Sequence, residues 1–232
     1  MQTSLFSISG IPAVLYGESA PDLWLYVHGK CGCKEEAESF ADIACPTGAQ
    51  VLALDLPEHG ARAQESETCT PWNAVPELQE AYQFAAGRWH SVSLRATSLG
   101  AWFSLLALED APLRRALLVS AVLDMERLIR DMMLWAAVDD VRLKTEGEIS
   151  TTFGETLSWR YLQYASSHRI AHWRTPTAIL YPALDNLTGR ETAEEFCRRF
   201  GCTLTVLDGA EHYLHTPGEL SFLRAWEQEH LQ

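Results

Sequence analysis

A serine, an aspartate and a histidine follow three separate apolar runs of this 232-residue chain. Ser98 lies in RATSLGAW, Asp185 in YPALDN and His212 in GAEHYLH. A serine hydroxyl is a weak nucleophile until a histidine accepts its proton and a carboxylate orients that histidine. The three residue types therefore predict acyl transfer, in which Ser98 attacks, His212 carries the proton and Asp185 orients the imidazole.

The residues around Ser98 match a sharp strand-to-helix turn. The apolar run SVSLRAT (91–97) predicts a strand, and LGAWFSLLALED (99–110) predicts the helix that follows. In such a nucleophile elbow the residues two before and two after the serine must be small, and here they are Ala96 and Gly100. Glycine is usual at the first position, so the elbow must accommodate the methyl group of Ala96. A serine that only caps the helix is the alternative interpretation.

Other residues compete for the roles of acid and base. Asp124 follows the apolar run RRALLVSA and is the alternative acid, because some hydrolases take their carboxylate from that strand. His215 stands three residues after His212 and is the alternative base. If Asp185 is the acid, the order along the chain is serine, aspartate, histidine. Asp185 and His212 then lie on neighbouring loops of the sheet.

Six continuous apolar runs alternate with helix-like segments along the chain. Continuous apolarity indicates strands buried on both faces, as in a parallel sheet covered by helices. The alternation predicts βαβ units in an α/β fold. At the amino-terminal side, LFSIS and PAVLYG predict an antiparallel hairpin at the sheet edge. The six runs are LWLYVH (23–28), AQVLALD (49–55), SVSLRAT (91–97), RRALLVSA (114–121), TPTAILY (175–181) and CTLTVLD (202–208).

Helices are predicted between these runs. The segments KEEAESFADIA (34–44) and PELQEAYQFAAGRW (76–89) have helical spacing of apolar residues. Thr188 and Thr216 each precede a glutamate by three residues, which is the pattern of a capping box. We therefore expect a helix to begin after each of these threonines.

Residues 124–172 separate the fourth and fifth runs by far more than one crossover helix requires. DMERLIRDMMLWAAV is amphipathic and ETLSWRYLQYA is aromatic, so both predict helices. An insertion here would cover the carboxyl-terminal edge of the sheet, where ligands bind in open α/β folds. We expect one domain over residues 1–232 with a helical cap at 124–172, whose Met and Trp side chains could form an apolar pocket.

Charge and composition exclude several classes of function. The net charge is −13 and no stretch is basic, so a nucleic-acid partner is not expected. The first residues lack the features of a signal peptide, and no apolar run reaches the ~18 residues of a membrane span. We therefore expect a cytoplasmic protein with reduced thiols. The six cysteines also lack the paired clusters of a structural zinc site.

Five motifs, in order over essentially the whole chain, resemble those of the α/β-hydrolase superfamily. VHG (27–29) is similar to its oxyanion loop, DLPEHGAR (55–62) to the turn after its fourth strand, and ATSLG to its elbow. LYPALDNLT and LDGAEHYLH are similar to its acid and histidine loops. The resemblance implies a three-layer fold with a mostly parallel sheet of about eight strands and a helical cap. It comes closest to small esterases, lysophospholipase-like and serine-peptidase-like members.

The resemblance also implies a reaction and its remaining groups. By position, the backbone N–H groups of Leu99 and Lys30 form the oxyanion hole, with Cys31 as the alternative second donor. A small-molecule carboxylic ester, or a thioester or amide, is cleaved through an acyl-enzyme, with no cofactor or metal. A C–C bond hydrolase or lyase and a non-catalytic binding module stay open as alternatives. An exposed apolar patch on the cap could pair two copies of the chain.

Overall fold

The continuous apolar runs form the central sheet in the computed structural model, which describes residues 1–231. The strands are β1 (Thr3–Ile8), β2 (Ile11–Tyr16), β3 (Asp22–Val27), β4 (Ala49–Leu54), β5 (Ser91–Thr97), β6 (Ala116–Val119), β7 (Glu148–Ser150), β8 (Thr156–Ser158), β9 (Thr177–Pro182) and β10 (Thr203–Leu207). Eight of them form one sheet in the order β1-β2-β4-β3-β5-β6-β9-β10. β2 is antiparallel to β1 and β4, and the other neighbours are parallel, as the sequence predicted.

Helices cover both faces of this sheet. They are α1 (Ala37–Ala44), α2 (Pro71–Ala86), α3 (Ser98–Ala107), α4 (Met125–Trp135), α5 (Asp140–Glu146), α6 (Trp159–Ser167), α7 (Arg190–Phe200) and α8 (Pro217–His230). Phe40 of α1 and Trp226 of α8 belong to the core on one face. Leu78 of α2 and Phe103 of α3 belong to the core on the other. No helix within residues 1–231 is both long and apolar enough to cross a membrane.

Helix α2 begins earlier than the sequence predicted. It starts at Pro71, five residues before the expected start at Pro76. Proline suits the first position of a helix because the N–H that it lacks would have no partner there. Pro76 then lies inside the helix and cannot donate to the carbonyl four residues before it, a cost that the pattern alone did not reveal.

One of the two predicted capping boxes is formed. The Thr216 hydroxyl accepts a hydrogen bond from the N–H of Glu219, whose carboxylate accepts one from the N–H of Thr216. The box predicted at Thr188 is wrong, because α7 begins at Arg190 with no side-chain cap. The Thr188 hydroxyl instead donates to the carbonyl of Ala121, 3.0 Å away, and joins the acid loop to the end of β6.

The insert between β6 and β9 contains a hairpin as well as helices. The sequence predicted helix from residue 155, but Thr156–Ser158 forms strand β8 and pairs antiparallel with β7. Each strand is three residues long and buries one apolar residue, Ile149 or Leu157, between polar neighbours. This alternation is too short to stand out against the helical pattern around it.

Helix α6 of the insert packs on the helix that begins with Ser98. The ring of Tyr161 stacks on Trp102 of α3, with 5.9 Å between centroids, and makes an edge contact with Trp72 of α2. The insert is therefore attached close to the elbow. Its role as a cap within a single domain stays an interpretation.

A buried ion pair joins α8 to the strand that leads into the elbow. Arg95 of β5 and Glu227 of α8 are 3% and 5% exposed, and Arg95 Nε donates to Glu227 Oε1 at 2.8 Å. The Arg95 guanidinium also donates to the hydroxyl of Thr97, the residue before Ser98. Burial raises the pKa of the Glu227 carboxyl, although the charge of Arg95 opposes that shift.

We expect Glu227→Ala to lower the free energy of unfolding by about 3–5 kcal/mol, because it leaves the Arg95 charge buried without its partner. Urea denaturation followed by circular dichroism measures the change. Glu229→Ala, an exposed site on the same helix, is the matched control and should change stability by less than about 0.5 kcal/mol. Equal stabilities of the two variants would show that the pair does not stabilise the fold.

Candidate active site

The backbone turns sharply at Ser98, between β5 and α3. Ser98 has a φ of +49°, in the left-handed region that residues other than glycine rarely adopt. Two residues later, a Cβ atom on Gly100 would lie 2.1 Å from the carbonyl oxygen of His28. Only glycine therefore fits at position 100. This close approach packs the elbow directly against the loop that follows β3.

Ala96, where glycine is usual, is accommodated inside the sheet. It is fully buried in β5, between the neighbouring strands β3 and β6. The close contact beside the nucleophile is made by Gly29 instead, where a Cβ atom would lie 3.2 Å from the Cβ of Ser98. The tight packing around Ser98 thus depends on Gly29 and Gly100 and leaves room for the methyl group of residue 96.

Ser98, Asp185 and His212, here called the triad, meet at the carboxyl-terminal edge of the sheet. Ser98 Oγ lies 2.8 Å from His212 Nε2, and His212 Nδ1 lies 2.8 Å from Asp185 Oδ2. A carboxylate accepts hydrogen bonds, so the proton of the neutral imidazole is on Nδ1 and Nε2 can accept the Ser98 proton. The side chain of His212 is 15% exposed and that of Asp185 is fully buried.

The loop after β9 orients the Asp185 carboxylate. Its Oδ1 accepts hydrogen bonds from the backbone N–H groups of Leu187 and Thr188, at 2.8 and 3.0 Å. A further backbone hydrogen bond of 2.9 Å joins this loop to the loop that carries His212. Because Oδ1 is bonded to the backbone, Oδ2 is left to accept from the imidazole.

The alternative acid and base lie elsewhere. The Asp124 carboxylate caps α4 by accepting the N–H of Arg127 at 3.0 Å. His215 is exposed, its Nδ1 lies 2.9 Å from the carbonyl oxygen of Tyr213, and its ring stacks on that tyrosine. Neither side chain makes a hydrogen bond with a triad residue within the described chain. The geometry thus brings together the first-choice residues of the sequence prediction.

The two predicted oxyanion donors border the nucleophile. Leu99 is the second residue of α3, where backbone N–H groups have no carbonyl partner inside the helix. Lys30 directly follows Gly29, and its N–H donates to no other group in residues 1–231. Cys31, the alternative donor, is exposed and has a φ of +63°. The assignment of Leu99 and Lys30 as donors stays a prediction.

His28 holds the start of the loop that follows β3. Its Nε2 accepts the N–H of Leu56 at 3.1 Å, so its proton is on Nδ1, which donates to the carbonyl of Gly29 at 2.7 Å. Burial lowers the pKa of His28 to about 4, so the ring is neutral at neutral pH. Only the neutral ring can accept from Leu56, and the loop after β3 is thereby fixed to the loop after β4.

Asp55 holds the far end of the same loop. This fully buried carboxylate accepts the N–H and the Nζ of Lys34, each at 2.8 Å, and the N–H of Ala61 at 2.9 Å. Burial raises the pKa of Asp55, but these hydrogen bonds more than offset that effect, so the pKa lies below its ordinary value. The ion pair joins the DLPEHGAR segment to the loop that follows β3.

The sequence did not indicate that Glu155 contacts Lys30. Lys30 Nζ lies 2.5 Å from both carboxylate oxygens of Glu155, in the turn between β7 and β8. The two residues are 125 positions apart, and no local pattern pairs them.

A cavity of about 190 Å³ lies away from the triad. It is bordered by residues of α3, α4 and α7, among them Trp102, Asp124 and Arg199, and no triad residue lines it. Among residues 1–231, no three His, Cys, Asp or Glu side chains are grouped so that they could hold a metal ion. The candidate site therefore consists of the triad and the backbone around it.

Comparison with known proteins rests on structure. No protein-family model matches the chain, and no curated protein is significantly similar to it in sequence. The esterase Est1E from Butyrivibrio proteoclasticus superposes with a TM-score of 0.76 at 17% identity, over 98% of this chain and 96% of that one. Alpha/beta hydrolase domain-containing protein 10 from mouse superposes with a TM-score of 0.77 at 13% identity, over 99% and 98%. The chain has the α/β-hydrolase fold.

A third neighbour extends the range of chemistry on this fold. The thioesterase domain from the curacin biosynthetic pathway superposes with a TM-score of 0.61 at 15% identity, over 98% of this chain and 99% of that one. At such low identities these likenesses establish the α/β-hydrolase fold of the chain. The chemistry must be argued from its own residues.

The stability of this α/β-hydrolase-fold protein should fall as the pH drops from about 6.5 to about 4. His28 has a pKa of about 4 when folded and about 6.5 when unfolded, so the unfolded chain binds an extra proton in this range. We expect this group to account for a loss of about 2 kcal/mol between about pH 7 and about pH 4.5, measured by urea denaturation at both values. His28→Gln should lose that much less stability over the same range. The exposed control His90→Gln should follow wild type, and parallel curves for wild type and His28→Gln would contradict the assignment.

Proposed function

We propose that this protein is a serine hydrolase that cleaves a small carboxylic ester through an acyl-enzyme. The observation that carries the proposal is the continuous hydrogen-bonded path from the Ser98 hydroxyl through His212 to the buried Asp185 carboxylate. A helix cap needs no such path, and a binding module gains nothing from a strained serine beside an oriented imidazole.

The proposed reaction assigns one role to each of these groups. Ser98 Oγ attacks the ester carbon while His212 Nε2 takes the hydroxyl proton, and the charge that develops on the carbonyl oxygen is stabilised by the Leu99 and Lys30 N–H groups. The tetrahedral intermediate collapses, and His212 gives its proton to the departing alcohol. Water then attacks the acyl carbon while His212 Nε2 takes its proton. The second tetrahedral intermediate breaks its bond to Ser98 Oγ, His212 returns the proton to that oxygen, and the acid leaves the free serine.

Exposed apolar and aromatic side chains favour a substrate with an apolar or aromatic acyl group. Leu184 and Tyr213 are directly next to triad residues in the sequence and are 59% and 77% exposed. On the insert, Trp135 and Phe153 are also exposed and make an edge contact. Among the structural neighbours, Est1E has been solved with ferulic acid bound. An ester of an aromatic or short apolar acid is therefore the first substrate class to try.

A fluorophosphonate should label the protein once, at Ser98. The expected adduct forms because His212 activates this hydroxyl alone, and intact-mass and peptide mass spectrometry locate it. Ser98→Ala should remain unlabelled, whereas Ser221→Ala, at an exposed site on α8, should label like wild type. Labelling that persists in Ser98→Ala would overturn the proposal.

Asp185→Asn should lower kcat for p-nitrophenyl acetate by about 10⁴-fold, because the amide no longer fixes the tautomer of His212 or stabilises its cation. Asp124→Asn is the matched control, since asparagine also caps a helix, and kcat should change by less than about twofold. Initial rates at neutral pH measure both. A larger loss of kcat in Asp124→Asn than in Asp185→Asn would assign the acid role to Asp124. If wild type hydrolyses p-nitrophenyl thioacetate or acetanilide but not the oxygen ester, the substrate class is a thioester or an amide instead.

A further inference from the structure

One ion pair joins the insert to the loop after β3, residues 28–34, which is here called the oxyanion loop. Lys30 Nζ lies 2.5 Å from both oxygens of Glu155, and the two side chains are 49% and 36% exposed. Glu155 closes the turn between β7 and β8, where its N–H donates to the Thr151 hydroxyl and its carbonyl accepts from Thr151. The carboxylate thus projects from an ordered turn, and it meets the loop beside the nucleophile.

Side-chain hydrogen bonds hold the two ends of this loop. His28 is held through Leu56 at the start, and Lys34 is held by Asp55 at the finish. Between these anchors the Gly29 carbonyl accepts from the N–H of Gly32 at 3.2 Å and from His28 Nδ1 at 2.7 Å, and the Cys33 carbonyl accepts from the N–H of Glu36 at 3.2 Å. Within residues 1–231 the backbone of Lys30 and Cys31 makes no hydrogen bond, so the contact with Glu155 is the polar restraint on the residue whose N–H is the predicted donor.

We infer that Glu155 is a positioning residue for the oxyanion hole and couples the placement of the insert to the placement of the Lys30 N–H. The inference rests on the proposed function, because it assigns Glu155 a part in that reaction. A donor stabilises the transition state only if it is already placed where the oxyanion forms. Displacement of the β7–β8 hairpin pulls on the Lys30 side chain and so moves the donor.

This coupling acts on the chemical step. Loss of a contact that acts only after charge develops on the substrate lowers kcat and kcat/KM together, whereas loss of a contact with the bound substrate raises KM. The ion pair is partly exposed, and such pairs contribute little energy, so the expected change in kcat is about two- to fivefold. It should also weaken in salt, because the screening length falls to about 3 Å at about 1 M.

The first experiment compares Glu155→Gln with Glu148→Gln in the full-length protein. Glu148 is exposed on strand β7 of the same hairpin, so it controls for a general effect of lost charge on the insert. With p-nitrophenyl acetate we expect Glu155→Gln to lower kcat two- to fivefold at unchanged KM, and Glu148→Gln to match wild type. About 1 M NaCl should lower the kcat of wild type towards that of Glu155→Gln and leave the variant unaffected.

A charge exchange tests whether the pairing itself matters. Lys30→Glu and Glu155→Lys should each lower kcat, and the double variant should recover most of the loss. Hydrogen exchange of a peptide covering residues 28–34 should be faster in Glu155→Gln than in wild type. That readout does not depend on turnover.

The two proposals fail in different ways. If wild type is neither labelled by a fluorophosphonate nor active on esters, the proposed function fails and this inference fails with it. If wild type is active and Glu155→Gln equals Glu148→Gln in kcat, salt response and exchange, the inference alone is overturned. A rise in KM at constant kcat also overturns it, because Glu155 would then contact the substrate.

Discussion

The close approach of Gly100 to the carbonyl of His28 is the constraint on which the rest of the site depends. A side chain at position 100 would overlap that oxygen, so the first turn of α3 and the end of β3 can only meet through glycine. The same contact brings Gly29 against Ser98 and puts two chain segments around one hydroxyl. The strained φ of Ser98 follows from the same geometry, since the strand must turn directly into the helix.

The parallel sheet supplies the remaining groups. Because β9 and β10 are parallel neighbours, the loops that follow them emerge side by side, and a backbone hydrogen bond from Leu184 to Ala210 joins them. The backbone of the sheet alone thus brings Asp185 and His212 close together. Two buried ion pairs, Asp55 with Lys34 and Arg95 with Glu227, hold the segments that lead to the site.

Much of this could be predicted because the signals are local. Continuous apolar runs gave the strands, and the residues directly after them gave the triad, since chain order along a parallel sheet determines which loops meet. The errors arose where tertiary contacts outweigh a local pattern. Thr188 has the spacing of a cap but bonds to Ala121, and the three-residue strands of the insert are too short to interrupt a helical periodicity. The pairing of Lys30 with Glu155 is a property of the folded chain alone.

The ion pair between Arg95 and Glu227 makes the packing of β5 depend on α8. The two partners are 132 residues apart, and the second belongs to the last helix that the structure describes. A chain that contains β5 but lacks α8 leaves the Arg95 guanidinium without its carboxylate partner, so burying that part of the sheet is then costly. Complete packing of the segment that presents Ser98 therefore depends on α8. A nascent chain that is interrupted before α8 carries the serine without the support of the finished site.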